Sequence, residues 1–192
     1  MIADQDRSGW FGASDTAMIC GNWRTKTFKD WWLKKLGLNT KHYTTRSMLA
    51  GVYYEHAILE HVKAPRRDHQ IIIPELRLRV NLDGDQAGGN GKAGRIWEVK
   101  TYKYEKPFRV SKTYWQQVQV QMFAKLEVEK ILPETEITSY GLLPEDYCNF
   151  FREIDPARVG HHPIGYDPAF IRLYLDKLAV LRDCMIRGVF PT

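Results

Sequence analysis

The chain is poor in everything that would staple it, export it or anchor it. Of its 192 residues only three are cysteine, Cys20, Cys148 and Cys184. An odd count without close pairs offers neither a disulfide framework nor a C-x-x-C zinc motif, so a reducing, intracellular setting is expected. No stretch reaches the roughly 18 apolar residues of a membrane span. The opening MIADQDRSGW lacks the apolar centre of a secretion signal, which makes the cytoplasm the expected location. Internal repeats and low-complexity tracts are also missing, and so is any large excess of charge. The 28 Lys and Arg stand against 23 Asp and Glu, leaving +5 and an isoelectric point near 9.0. That balance permits a polyanionic partner without requiring one.

What is present suits a packed domain. Hydrophobic residues make up 44% of the chain, with 6 Trp, 10 Tyr and 8 Phe, and the length fits one domain over residues 1–192. Ser14 or Asp15 can cap a short helix reaching Cys20. A second helix from about Thr27 carries Phe28, Trp31, Trp32 and Leu36 at helical spacing until Gly37. Met48, Tyr54, Ile58, Leu59 and Val62 repeat at the same period in a long helix over 44–62, with Pro65 beyond it. HQIIIPELRLRVNLDGD then alternates Leu76, Leu78 and Val80 with Arg77, Arg79 and Asn81, the period of a half-buried strand. Residues 84–95 hold five glycines and read as a loop or wide hairpin into a second strand, IWEVKTY. A helix over 111–125 follows, then strands near 137–143 and 147–154, an irregular loop RVGHHPIGYDP, and a last helix over 167–186.

Several familiar sites can be set aside. Around Gly91 and Lys92 a phosphate-binding loop would need Gly at position 86 and Ser or Thr at 93, where the chain has Gln86 and Ala93. His56 and His61 are five apart, roughly 140° around a helix, and do not form H-E-x-x-H. Tandem His161 and His162 sit in the Gly- and Pro-rich stretch assigned to a loop, where exposed histidines are common.

A stronger constellation is Asp83 followed by Glu98-Val99-Lys100, with Glu55 upstream. Neighbouring strands ending in Asp83 and carrying Glu98 can aim two carboxylates at one point, an oxygen-donor arrangement that suits a hard divalent cation such as Mg²⁺. Lys100 projects from the same strand face as Glu98, where its ammonium can position a water or help deprotonate it and stabilise charge on a phosphate. The spacing alone is common in a chain with 23 acids, and a surface ion pair is the plain alternative. Lys103, Lys106, Arg109 and Lys112 crowd the connection to the next helix. There Gln117 and Gln121 lie one turn apart and can help hold a phosphate backbone, while Gln119 reads as part of a solvated face. Asp85 shares a strand face with Asp83 by simple alternation and competes with it as a ligand, or supports it from outside.

RSGWFGASDTAMI, LAGVYYEHAILEHV, VNLDGD, WEVKTY and YWQQVQVQMFAK, in this order from residue 7 to about 125, resemble the lambda-exonuclease-like, or YqaJ-type, viral recombination nucleases of the PD-(D/E)XK superfamily. The resemblance implies an α/β fold, a three-layer α/β/α restriction-endonuclease-like core with a central mixed sheet flanked by helices. It further implies hydrolysis of double-stranded DNA from an end, 5′ to 3′, with Mg²⁺ as cofactor and Mn²⁺ able to substitute. Asp83 and Glu98 match the metal-binding carboxylates, Lys100 the lysine beside the attacking water, Glu55 the upstream acid and Gln117 the glutamine of the following helix; Val99 falls within the same metal set. Arg7 and Ser14 resemble a pair that contacts phosphate, Arg24 falls where an Arg can meet a terminal 5′ phosphate, and Met48 falls where an apolar side chain can wedge the first base pair. The plain alternative for Met48 is a buried helix residue. Leu82 stands where the superfamily name has Pro.

The same resemblance implies DNA ends as substrate, a single-strand annealing protein as partner, a homo-oligomer that would be a trimer, and the host cytoplasm as location for a phage-encoded chain. Two rivals are kept open. One is a structure-specific or flap endonuclease of the same superfamily, whose four-cysteine iron-sulfur cluster three scattered cysteines do not supply. The other is a non-catalytic DNA-binding module that kept the fold.

Overall fold

The structure, a computed structural model, describes residues 8–39, 45–150 and 152–191. A five-stranded mixed sheet lies at its centre in the spatial order β1-β2-β3-β4-β5. The strands are β1 (Arg66–Ile73), β2 (Leu78–Gln86), β3 (Arg95–Lys103), β4 (Glu134–Leu142) and β5 (Val159–Pro163). Pairing is antiparallel except between β3 and β4, which run parallel with Glu98 opposite Ile137 and Lys100 opposite Ser139. The parallel pair needs a crossover, and α4 (Lys112–Glu129) supplies it. The other helices are α1 (Thr16–Ile19), α2 (Lys26–Lys35), α3 (Arg46–His61) and α5 (Pro168–Arg187). Side-chain oxygens cap four of the five, those of Thr25, Thr45, Ser111 and Asp167 each accepting from a first-turn amide.

The two sheet faces have separate cores. Leu78, Val80, Leu82 and Ile96 pack with Val118, Met122, Trp32 and Leu178 from the helical layer of α1, α2, α4 and α5. Trp97, Val99, Tyr140 and Leu142 pack on the other side with Ala50, Tyr54, Ile58 and Leu59 of α3. This is the three-layer α/β/α arrangement expected. At Gly84 the approach of α3 is so close that a Cβ would lie 2.4 Å from the Leu59 side chain and 3.1 Å from that of Ala64, so the bare backbone lets that layer settle. Among the described residues no helix is long and apolar enough to cross a membrane.

Three sequence expectations change. The described residues of 147–154 form no strand. Pro144–Tyr147 is a 3-10 turn, and the buried Asp146 behind it receives Arg158 at 2.5 Å, Arg152 at 3.1 Å and the Leu143 amide at 2.8 Å, which bends the chain around one carboxylate. The fifth strand lies instead at Val159–Pro163, inside the stretch expected to be a loop, pairing as an edge strand where a proline does little harm. Gln119 is not solvated: it is fully buried, its amide donating to the Gly165 carbonyl at 2.7 Å and its oxygen accepting from the Asp167 amide at 2.7 Å. The cause is α4 itself, buried almost all round because the sheet covers one side and α1 and α5 the other.

Candidate active site

The site begins where two strands part. The β2–β3 ladder runs from Gln86↔Arg95 through Asp85↔Ile96 to Gly84↔Trp97 and stops there. Asp83 and Glu98 would be the next pair; instead the Val99 amide donates to Asp83 Oδ2 at 2.8 Å. On the far side of β2, Asp68 is skipped by the β1–β2 ladder and takes a left-handed φ of 52°. Both irregularities centre on Asp83, which opens the sheet between its helical layers.

Lys100, Gln117 and Gln121 all converge on Glu98, which is 1% exposed. Its Oε1 accepts from Lys100 Nζ and from Gln117 Nε2, the latter at 2.5 Å, while its Oε2 accepts from Gln121 Nε2 at 2.5 Å. Lys100 Nζ also lies 5.2 Å from the centre of the Tyr114 ring. Glu55 reaches toward the same group from α3, in the opposite layer. Burial, reinforced by the charges of Glu98 and Asp68, pushes the Glu55 carboxyl up to about 7. Burial likewise drives Asp83 well above the usual carboxylate range, with Glu98 and Glu55 adding to the effect. Lys100 moves the other way for an ammonium in a buried place: burial works against its charge, but Glu98 and Asp83 outweigh burial and hold it above the usual lysine value.

These shifts describe a site with more negative charge than its one lysine balances. Asp83, Glu98 and Glu55 offer hard oxygen donors, and Val99, whose side chain is apolar and buried, can add only its backbone carbonyl. A divalent cation fits that donor set, because it would supply the missing positive charge. The structure thus brings together Glu55, Asp83, Glu98, Val99, Lys100 and Gln117. Beside them, ligand atoms of Glu55, His56 and Asp68 lie within 4.8 Å of one another, with His56 Nε2 3.6 Å from Asp68 Oδ2.

Asp85 belongs elsewhere. Leu82 and Asp85 both turn to the α4 side although they are three residues apart, so the alternation slips by one between them. The Asp85 carboxylate is bound by Arg66 and by the fully buried Lys125, at 2.7 Å, and His69 Nδ1 lies 3.3 Å away. Burial would raise this carboxyl, but the hydrogen bonds from Arg66 and Lys125 hold it below the usual range. Its lone pairs are committed, which removes the competition with Asp83.

The remaining predicted contacts lie apart from this group. Arg7 falls outside the described residues. Ser14 is exposed on the 3-10 turn Ala13–Asp15, which is tied to β2 by Phe11, paired with Leu78. Arg24 is exposed and lines a cavity of about 440 Å³ with Trp23, Lys177 and Pro191. Met48 is 54% exposed, beside Leu49, Val52 and Tyr53, and is not the buried helix residue of the plain alternative. No hydrogen bond or ion pair of the carboxylate group among the described residues involves Ser14, Arg24 or Met48. Gln121 has a place that sequence reasoning missed: one turn from Gln117, it faces Glu98 rather than a phosphate backbone, and that spacing was the available signal.

The family model of the YqaJ-like viral recombinase domain matches residues 4–128, about two thirds of the chain. The protein belongs to this family. As a YqaJ-like chain it shares its fold with solved exonucleases. LHK-Exo in complex with dAMP is 17% identical over 95% of this chain and 90% of that one, with a TM-score of 0.65. The alkaline exonuclease LHK-Exo from Laribacter hongkongensis is 16% identical over the same shares at 0.64. A phage related exonuclease from Haemophilus somnus 129PT is 14% identical over 93% of this chain and 94% of its own, also at 0.64. No curated protein matches the chain. The family model makes this a YqaJ-like viral recombinase domain, and the solved structures show that its fold is theirs.

Proposed function

We propose that the protein is a Mg²⁺-dependent deoxyribonuclease that hydrolyses phosphodiester bonds of double-stranded DNA from an end, 5′ to 3′, in phage-type recombination. The observation that carries this reading is the meeting of Asp83, Glu98 and Lys100 at the point where β2 and β3 part, with Glu55 entering from one helical layer and Gln117 from the other.

Bound by the carboxylates of Asp83 and Glu98, with Glu55 and the Val99 carbonyl beside them, Mg²⁺ would supply Lewis-acid polarisation of a phosphoryl oxygen and of water. The rest is done by the chain. Lys100 keeps its proton, so its role is that of a fixed positive donor that orients the water and stabilises charge growing on the phosphoryl oxygens. Gln117 shares Glu98 Oε1 with Lys100, and its amide carbonyl remains able to accept from the same water. Glu55, reaching in from α3, can take up a proton as the water oxygen bonds to phosphorus and the ester P–O bond breaks. The leaving sugar oxygen takes its proton from solvent.

Family resemblance supplies the choice of DNA and of direction. The test is a pair of substrates, end-labelled linear duplex and covalently closed circular duplex, each with and without Mg²⁺. The expected result is release of label from the linear form alone, in Mg²⁺ alone. Cutting of the closed circle would make the protein an endonuclease, and no cutting with Mg²⁺ or Mn²⁺ would make it a binding module.

A further inference from the structure

We propose that Gln121 is the positioning residue of this site: from inside α4 it anchors one oxygen of Glu98 and leaves the other to the cleft, where a cation is captured. The inference rests on the reading of Glu98 as a cation ligand and deepens it.

Gln121 is fully buried. Its single amide nitrogen donates to Glu98 Oε2 at 2.5 Å and to the backbone carbonyl of Asn81 at 3.3 Å. One group therefore ties β2 to β3 beside the place where their own ladder is broken. The two oxygens of Glu98 are held by different kinds of neighbour. Oε1 is shared by Lys100 and Gln117, both partly exposed, so their hydrogen bonds can be exchanged for water or ligand. Oε2 is held, among the described residues, by Gln121 from the interior.

The other end of the Gln121 amide shows what fixes its orientation. Its Oε1 is buried with no hydrogen-bond partner among the described residues. Turning the amide over would set that oxygen against the Glu98 carboxylate and take the donor away from both acceptors. The side chain thus tolerates an unpaired carbonyl to keep its N–H groups on Glu98 and Asn81, a cost an apolar residue of the same size would avoid. What the cost secures is a carboxylate already held in one orientation before a cation arrives, and such outer partners typically set metal affinity by roughly 10- to 100-fold.

The experiment compares the unsubstituted chain with Gln121→Met, which keeps the volume and removes both the donor and the unpaired oxygen. Calorimetric titration with Mn²⁺ in the absence of DNA should show affinity weakened by roughly 10- to 100-fold, with circular dichroism showing a folded protein and metal-free affinity for duplex DNA changed less than twofold. A folded variant that binds Mn²⁺ within twofold of the unsubstituted chain overturns the proposal alone. An unsubstituted chain that binds no Mn²⁺ overturns the reading of Glu98 as a ligand, and this proposal with it. A second measurement does not depend on the variant folding. In side-chain amide spectra of the unsubstituted ¹⁵N-labelled protein, the Gln121 resonances should be protected from exchange and stay in place on saturation with Mg²⁺, while those of Gln117 move. Gln121 resonances that exchange as freely as an exposed amide, or that move more than those of Gln117, overturn the anchor.

Discussion

Lys125 and Asp85, neither of them exposed to solvent, form an ion pair of 2.7 Å that joins α4 to β2. Lys125 also reaches Glu129 at 2.6 Å, and Glu129 accepts from the Gly88 amide at 3.0 Å, so the pair extends into the glycine-rich connection. Removing Lys125 takes the one fully buried counter-charge from Asp85 and leaves it to the partly exposed Arg66, a costly change for a buried carboxylate. Lys125→Met should destabilise the fold by about 3 kcal/mol, read by urea unfolding at neutral pH, with Mn²⁺ affinity of the folded protein unchanged. An unaltered unfolding midpoint would mean the pair contributes nothing.

Asp85 also sets an acid limit. Its carboxyl lies below its ordinary 3.8 because Arg66 and Lys125 outweigh burial. The stabilisation is therefore present above the unfolded value and is lost as pH falls through the folded one. Asp85→Asn should be less stable than the parent at pH 7, with the difference narrowing below about pH 4. Chemical denaturation at both pH values checks this, and a gap that widens in acid would contradict it.

Glu55 behaves in the opposite sense. With its folded value near 7 against an ordinary 4.5, the folded state holds the proton more tightly, and stability falls as pH rises between those values. Glu55→Gln should raise the thermal midpoint of the metal-free protein at pH 8, and the gain should shrink toward pH 5. A midpoint difference independent of pH would show that Glu55 titrates normally.

Lys100→Ala should lower cleavage of linear duplex by roughly 10²–10³-fold, as expected for loss of a donor that acts on the transition state. Duplex affinity measured in Ca²⁺ should be nearly unchanged. Cleavage at the parental rate would remove Lys100 from the proposed mechanism.

Gln119→Ala leaves the Gly165 carbonyl and the Asp167 amide, which starts α5, without their buried partner. The expected cost is about 2 kcal/mol. Faster hydrogen exchange should be confined to residues 165–171.

How legible the fold was depended on which residues carry a periodic signal. Phe28 and Trp32, or Tyr54 and Ile58, recur at helical spacing because α2 and α3 each bury one side, and Leu78, Val80 and Leu82 alternate because β2 covers one core. β5 gave no such signal, since an edge strand of Gly160, His161 and His162 buries little apolar surface. Its place is fixed by pairing with β4, a contact between segments far apart in sequence. The polar residues of α4 misled for a related reason. Gln119 and Gln121 look like solvent-facing residues, yet each is buried and bonded to a group that only tertiary structure brings near.

The site followed the same division. Asp83, Glu98 and Lys100 were legible because two adjoining strands set their meeting by local geometry, and ordered motifs added Glu55 and Gln117. Asp85 was ambiguous for as long as strict alternation was assumed. The slip between Leu82 and Asp85, paired with the left-handed turn at Asp68, sends the second acid to Lys125, and no residue type in VNLDGD announces it.

Because the gap between β2 and β3 is filled from both helical layers, the side chains around it come from α3, β2, β3 and α4 together. A growing polypeptide that has made only α3 and the first two strands carries Glu55 and Asp83 but lacks Glu98, Lys100 and Gln117. The proposed cation site would therefore assemble only once the crossover helix α4 packs on the sheet.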